Sequence, residues 1–348
     1  MKKLKMVNKE INAEIIADSV NKNGNRITTF VLTYPRFIHA ELLTHRLFSR
    51  NAASSRAIPA SKMIKDIEED PFIPVAWQKA HSGMQGTEYI DVETAECFPP
   101  GDWLEARDHA VDVARMMVAD GVTKQIVNRI LEPYQWYTCI VTATEYDNFF
   151  ELRCPQYRVQ EKTDVRHKSW KDASEAHDFV DPGATDLDKL QYNEGQGEIH
   201  ISLLAEAMWD ARNESEPKQL KAGEWHIPFG DKIEDHRVPV PEFSTAPSEM
   251  TNTYNTLLQE AKIKIATARC ARVSYLNFEG KDDYEADIKL YDRLKDMGHW
   301  SPFEHCAKVP EGRENLKEAE DEFGNPVMIK NDIFGNFRGF IQLRKEIE

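Results

Sequence analysis

The spacing of apolar positions changes several times along the chain, and each change marks an element. From Ile11 to Val20, and again from Arg26 to Tyr34, the residues are β-rich, and Asn23-Gly24 lies in the short polar break between the two runs. Such a pair of runs around Asn-Gly predicts a β-hairpin. Pro35 ends the second run. From Phe37 to about Phe48 the period lengthens: Ile38 and Leu42 share one side, Leu43 and Leu47 another, and Glu41, Thr44, His45 and Phe48 recur at i, i+3, i+4 and i+7. That predicts a helix. The stretch from Ser49 to Arg56 is small and polar and reads as a loop whose backbone can approach a ligand closely.

Residues 70–101 are rich in Pro and Gly and predict surface loop. A helix is expected from Trp103 to Ala119 with Gly121 as its C-cap, and a shorter one from Lys124 to Leu131, stopped by Pro133. Tyr134 to Ala143 is aromatic and β-branched, hence a strand. Thr144 with Asp147 resembles a capping signal for a helix holding Phe149, Phe150 and Leu152. Residues 155–195 are polar with weak periodicity and read as an insertion. Glu198 to Ala211 is helical again. Residues 212–250, with five prolines, read as a connecting segment. Thr253–Ala271 and Tyr284–Met297 predict two long helices, the second stopped by Gly298. The last stretch, Ile333 to Arg344, is short and aromatic-rich, and no repeat of solenoid period is present. The sum predicts an α+β fold in one domain over 1–348: a mixed or antiparallel sheet flanked by long helices.

Composition narrows the function classes. Of 348 residues, 41% are hydrophobic, enough for a substantial core, and the net charge of −15 argues against a protein that coats nucleic acid or an anionic membrane. It leaves room for a small anionic ligand held by local arginines. No run approaches the ~20 apolar residues that span a bilayer. Met1-Lys2-Lys3 is basic, but Asn8, Lys9 and Glu10 follow where a signal peptide needs its apolar core, so a cytoplasmic location is expected. The five cysteines, Cys97, Cys139, Cys154, Cys270 and Cys306, include no C-x-x-C pair. That argues for reduced, partly buried thiols and against a zinc site or a disulfide framework.

The chemistry concentrates between Glu41 and Arg56. The expected helix delivers His45 and Arg46 to its C-terminal end. The following stretch offers hydroxyls at Ser49, Ser54 and Ser55 and cations at Arg50 and Arg56. Arginine gives charge-assisted, bidentate bonds to phosphate and serine adds neutral donors. A plain alternative reads the same residues as basic groups complementing a helix dipole, followed by a solvated loop. Near the other end, Ser301-Pro302-Phe303-Glu304 reads locally as a helix start with a capping box. That explains Ser, Pro and Glu but neither His299 nor His305.

Three blocks together resemble the flavin-dependent thymidylate synthases of the ThyX type. Their signature R-H-R-x7-S reads here Thr44-His45-Arg46-x7-Ser54, followed by Ser55 and Arg56. Gly121-Val122-Thr123, Asn128 to Pro133 and Phe149-Phe150-Glu151-Leu152-Arg153 resemble the family's helix, strand and N-L-R segment, and Gln196, Glu198 and Ile199 its A-Q-x-E-I helix start. Ala271-Arg272-Val273-Ser274-Tyr275 is similar to A-R-V-S, and Gly298-His299-Trp300-Ser301-Pro302-Phe303-Glu304-His305 to G-H-x-S-P-F-E-H. The matches cover about half the residues. The last two blocks precede R-H-R in the family and follow it here, so the order is that of a circular permutation, which compact domains tolerate.

The resemblance implies C5 methylation of dUMP to dTMP, with FAD as cofactor and NADPH and methylene-tetrahydrofolate as cosubstrates. It implies flavin contacts at His45, Arg46, Ser49, Ser274 and His305. Ser54, Ser55 and Arg56 would hold the nucleotide's phosphate end, and Arg153 would bind the nucleotide, with Ser54 and Arg153 nearest the chemistry. Glu41 and Thr44 line the expected base pocket. It implies no metal, and a homotetramer with sites shared between subunits. Three positions depart from the pattern: Thr44 stands for the first arginine, Glu41 for a glutamine and Ala52 for a glutamate. A carboxylate accepts from cytosine N4 but cannot donate to uracil O4. Methylation or hydroxymethylation of dCMP, or hydroxymethylation of dUMP, is therefore a second expectation, and a non-catalytic flavin- or nucleotide-binding homologue a third.

Overall fold

A computed structural model describes residues 9–82, 86, 88–90, 98–240, 247–277, 279–312, 316–320, 326–330 and 332–348, with the backbone alone for 247–252, 316–320 and 326–330. Cys97 lies outside the described residues. The expected hairpin is present as β1 (Asn12–Asn21) and β2 (Arg26–Pro35), antiparallel, with Gly24 in the turn at φ 81°. That left-handed backbone is why Gly follows Asn there. The register shifts between Ile15 and Ala17. Such a bulge leaves Ile16 free to pack away from the ladder, and it lies against Ile140, Phe229, Cys270 and Val273.

The segment after β2 departs from the sequence pattern. A 3₁₀ turn (Arg36–Ile38) leads into α1 (His39–Leu43), which stops at Thr44 rather than running to Phe48. The Thr44 hydroxyl donates to the Glu41 carbonyl at 2.7 Å, and Arg50 donates to the Leu43 carbonyl at 2.8 Å, so side chains occupy the carbonyls that end the helix. Ser49–Ala52 is not loop but strand β3, paired antiparallel with β4 (Trp136–Ala143). With β5 (Lys218–Leu220), parallel to β1, the main sheet runs β3-β4-β2-β1-β5 and is mixed. The protein is thus α+β, as the pattern predicts.

Each face of the sheet is covered. Phe30, Leu32 and Tyr34 of β2 and Tyr137, Cys139 and Val141 of β4 face one way. They pack on α5 (Asp147–Arg153) and α8 (Ile199–Glu214). Burying side chains of this size contributes about 1.5–3 kcal/mol each before entropy is counted. The N-cap of α5 is Tyr146, not the expected Thr144, whose hydroxyl instead accepts from the Arg338 amide at 2.9 Å. Glu198 caps α8 through the amides of His200 and Ile201. Helices α2 (Ala60–Glu69), α3 (Pro100–Ala119) and α4 (Lys124–Val127) build a side cluster around Met63, Val111, Val127 and Leu131.

The 155–195 stretch carries α6 (Trp170–Ala176) and α7 (Asp186–Leu190) with a small core of Tyr157, Trp170, Ala173 and Val180. In 212–250 lies β6 (Trp225–His226), which joins β7 (Ala307–Lys308) and a later short strand, β8 (Ile341–Gln342), in a second sheet. The segments 316–320 and 326–330 pair with each other antiparallel. Helices α9 (Pro247–Arg272), α10 (Tyr284–Asp296) and α11 (Leu343–Ile347) share another core with Phe303 and Cys306. Cys139, Cys154, Cys270 and Cys306 are buried free thiols. No helix among the described residues is long and apolar enough to cross a membrane.

Candidate functional site

The turn that follows α1 and the end of α5 meet around a surface cavity of about 310 Å³, lined by Thr44, His45, Arg46, Phe149, Leu152 and Arg153 among others. His45 is pinned between rings, edge-on to Phe149 at 4.8 Å and stacked on Phe48 at 5.8 Å. Burial first, then the charges of Arg153 and Arg50, lower its pKa, so the imidazole is neutral. Arg153 Nε donates to His45 Nε2 at 3.3 Å. That bond places the ring proton on Nδ1. Arg153 Nη1 also donates to Glu41 Oε2 at 3.2 Å. The Glu41 carboxyl is raised by burial and by the charge of Glu198, with Arg153 opposing. Arg46 is exposed on the same cavity and makes no ion pair among the described residues.

Four of the sequence-derived residues, Thr44, His45, Arg46 and Arg153, therefore line one cavity, and Glu41 joins them through Arg153. Ser54, Ser55 and Arg56 stand elsewhere. Ala53 still pairs with Thr138, so the backbone is extended from Ser49 through Ala53 and carries Ser54 roughly 16 Å from Ser49. There Asn128 Nδ2 holds the loop by donating to the carbonyls of Ser55 at 2.8 Å and Ile58 at 3.0 Å, while Ser54 and Arg56 face solvent. None of these three residues lines the cavity of Arg153.

Ser49 and His305, expected at the flavin, are instead interior. Ser49 is 1% exposed, and its hydroxyl bonds to Asn336 and Gln342. His305 is 0% exposed, and its Nδ1 bonds to Thr142 Oγ1 at 2.8 Å. The bond continues to Thr29 Oγ1 at 2.8 Å, His226 Nε2 at 2.8 Å and Ser19 Oγ at 2.9 Å, a polar chain crossing the inner face of the sheet. Burial pushes both imidazoles down to about 3, so both are neutral. Both side chains are enclosed within this chain, and neither lines the cavity of His45 and Arg153. Ser274 lies half-buried in the turn after α9, where its hydroxyl accepts from the Leu276 amide at 3.2 Å. It does not line the cavity.

Three of the matched segments, 44–56, 271–275 and 298–305, nevertheless meet, at a residue the sequence did not single out. Asn51 Nδ2 donates to the carbonyls of Cys270 at 2.6 Å and Ala271 at 3.1 Å, and its Oδ1 accepts from Ser301 Oγ at 3.1 Å. Asn51 thus ties β3 to the block at 271–275 and to the block at 298–305. The expected capping box at Ser301 is absent. Residues Ser301–Glu304 form a 3₁₀ turn without a side-chain cap, and Glu304 pairs with Arg344 instead. The signal for Asn51 was strand alternation: with 49–52 read as a strand, Ser49 and Asn51 share a face.

No protein-family profile matches the sequence, and no curated protein matches it. Among solved structures, the chain is similar to a UMP/dUMP methylase, PolB from Streptomyces cacaoi, bound with 5-Br UMP, at 14% identity and a TM-score of 0.39, over 59% of this chain and 90% of that one. The same enzyme bound with 5-Br dUMP matches at 12% identity and a TM-score of 0.40, over 60% and 92%.

Proposed function

We propose that this protein is a flavin-dependent enzyme that methylates C5 of a pyrimidine deoxynucleotide, taking dUMP to dTMP with methylene-tetrahydrofolate and NADPH. One observation carries the reading: the turn holding Thr44, His45 and Arg46 meets Arg153, from a separate helix, around one cavity. Two arginines on a cavity rimmed by Leu47, Leu152 and Phe149 fit a ligand with anionic groups and a flat apolar body, which is the chemistry of FAD. When bound there, FAD would supply the redox step of the methyl transfer.

The chain's own residues supply position and charge. His45, neutral and locked by Phe48, Phe149 and Arg153, holds one ring orientation and offers no charge to compete with the two arginines. Arg153 is oriented by two acceptors, so its fork is set before any nucleotide arrives, which lowers the entropy lost on binding. Ser54, Ser55 and Arg56 carry the phosphate-binding chemistry but stand apart from Arg153, which supports a homotetramer in which a second copy brings them to the same nucleotide. Exposed Val113, Met116 and Ile126 on the α3–α4 side offer apolar surface for such assembly.

Glu41 favours a second reading. Its carboxylate sits on Arg153 at the edge of the cavity and can accept from the exocyclic amine of cytosine, so methylation or hydroxymethylation of dCMP is the alternative product. The test is to load the purified protein with FAD and incubate it with dUMP or dCMP, methylene-tetrahydrofolate and NADPH, followed by mass analysis of the nucleotide. A mass gain of one methylene on dUMP supports the first reading, and modification of dCMP alone supports the second. A protein that stays colourless with FAD overturns both. One that oxidises NADPH and leaves every nucleotide unchanged is a flavin-binding homologue without synthase activity.

A further inference from the structure

The insertion between α5 and α8 holds a cavity of about 280 Å³ that the proposed reaction does not use. Three aromatic residues line it: Trp170 from the start of α6, Phe179 from the α6–α7 connection and Tyr192 from just after α7. The carboxylates of Asp181 and Asp188 line it as well, and no Lys or Arg does so among the described residues. We propose that this cavity binds a small organic cation carrying an alkylated ammonium group, of the choline kind, between the aromatic rings and the two negative charges.

The lining selects the charge and the class of the ligand. An aromatic face is electronegative and attracts a cation, and rings grouped around one site recognise alkylated ammonium groups. Elsewhere in the chain such faces already carry a cation: Lys232 lies 3.8 Å from the ring centre of Tyr275, and Arg36 lies 4.6 Å from that of Tyr137. Among the described residues no lysine or arginine lies over Trp170, Phe179 or Tyr192. The two carboxylates are likewise without an ion-pair partner among the described residues, since Lys189, next to Asp188, pairs with Asp186. The Thr185 hydroxyl, then its amide, hold the Asp188 carboxyl below the usual carboxylate range, so it is charged at neutral pH. A phosphate or carboxylate ligand meets repulsion here. The volume falls just under the ~300–1,000 Å³ of pockets for drug-sized ligands, which suits a small cation better than a nucleotide.

The walls are fixed from behind. Trp170 is buried. Its amide donates to Glu206 Oε1 at 2.6 Å, its indole N–H donates to the Asp181 carbonyl at 2.7 Å, and Tyr157 meets its ring edge-on at 5.2 Å. The indole bond also places Asp181 beside the ring, and the Asp181 carboxylate turns back to accept from the Gly183 amide at 2.9 Å. Tyr192 is positioned by its backbone, which donates to the Lys189 carbonyl at 3.0 Å and accepts from the Arg158 amide at 2.9 Å. Its ring lies 5.5 Å from that of Trp170 with the planes 43° apart, so the two open as a wedge rather than a stack. Phe179 stacks on His177 at 5.3 Å and is 64% exposed, an apolar ring that ligand methyl groups would cover. A site whose rings and charges are set beforehand loses little entropy on binding.

The experiment titrates the full-length protein calorimetrically with choline and with 3,3-dimethylbutan-1-ol, which has the same shape but carbon in place of the charged nitrogen. The expected result is saturable 1:1 binding of choline and about tenfold weaker binding of the neutral alcohol, the scale of a cation on desolvated rings. Phe179→Ala and Tyr192→Ala, both at exposed rings, should each weaken choline binding about fivefold, and Asp181→Asn should weaken it too, with far-ultraviolet circular dichroism unchanged. Equal affinity for choline and the alcohol, no saturable binding of choline, or wild-type affinity in the F179A/Y192A double variant overturns the site. A readout without substitution guards against misfolded variants: in wild type, the N-methyl proton resonance of bound choline should move upfield, because the methyl groups lie over ring faces. An unshifted resonance at saturation overturns the aromatic site. A trimethyllysine peptide titrated alongside should bind no tighter than choline, and tighter binding would overturn the assignment to a small free cation.

Discussion

Arg153 on α5 and Glu41 on α1 meet at 3.2 Å, at the edge of the cavity that holds His45 and Arg46. Their side chains are 22% and 36% exposed. Pairs this accessible contribute at most about 1 kcal/mol to stability. Stability and function should therefore separate. Glu41→Gln and Arg153→Gln should each leave the urea midpoint almost unchanged. Arg153→Gln should cut nucleotide turnover by about a hundredfold, the scale of losing a charged group from an active site. Glu41→Gln should keep turnover within about tenfold and raise the ratio of dUMP to dCMP use, because a glutamine amide can donate to uracil O4. A large stability loss with proportionate activity loss in both variants would make the pair structural.

Asn51 leads to a different expectation. Its side chain satisfies two main-chain carbonyls and the Ser301 hydroxyl at once. Asn51→Asp keeps the shape but turns a donor into an acceptor facing the carbonyls of Cys270 and Ala271, and so should cost more than Asn51→Ala. The expected losses are roughly 1–3 kcal/mol for alanine and more for aspartate, the range for stranded polar groups. Hydrogen exchange should show the added opening at 270–277 and 299–305, with α8 unaffected. Uniform loosening of the whole chain would contradict a clamp between these blocks.

The order of these contacts explains what the sequence could and could not reveal. The β1–β2 hairpin was legible because Asn23-Gly24 and period-2 patterning act locally. The cavity residues Thr44 to Arg46 were legible because a short segment carries them all. Helix α1 was overextended because its end is set by Arg50 and Thr44 bonding its carbonyls, a tertiary event with no periodic signature. Strand β3 was hidden because four residues are too short to show alternation, and its partner β4 lies about ninety residues away. The burial of His305 and Ser49 was not legible, because a polar residue in a motif looks the same in sequence whether it faces outward or joins a buried chain. The Ser19–His226–Thr29–Thr142–His305 path spans five separate segments that only folding brings together.

That buried chain makes the protein acid-sensitive in a defined window. His226 and His305 are held at about 3, and His39 at about 4, each below the ordinary 6.5 and chiefly by burial. Between these values the unfolded chain takes up protons that the folded chain refuses, so stability falls as pH falls. The loss begins near pH 6.5 and continues to about pH 4 for His39 and about pH 3 for the other two. Each imidazole contributes a slope of about 1.4 kcal/mol per pH unit in its window. Urea denaturation from pH 7 to 4.5 should show this decline, and His226→Gln should flatten it. An unchanged slope in that variant would mean that other groups cause the acid loss.

The separation of Ser54 and Arg56 from Arg153 yields the sharpest test of assembly. Within one chain Ser54 and Arg56 lie beyond β3 and do not line the cavity that holds Arg153. If one nucleotide needs both, each site must draw Arg56 from one copy and Arg153 from another. Arg56→Ala and Arg153→Ala homo-oligomers should then each be nearly inactive. Mixed oligomers, made by co-expression and separated by distinct affinity tags, should regain a fraction of wild-type turnover, because some sites then combine two intact arginines. Sedimentation should show the same assembly size for all of them. Mixed oligomers as inactive as their parents, at unchanged size, would mean that both residues act in the same copy or that Arg56 does not serve this nucleotide. Activity in an isolated monomer would exclude a shared site outright.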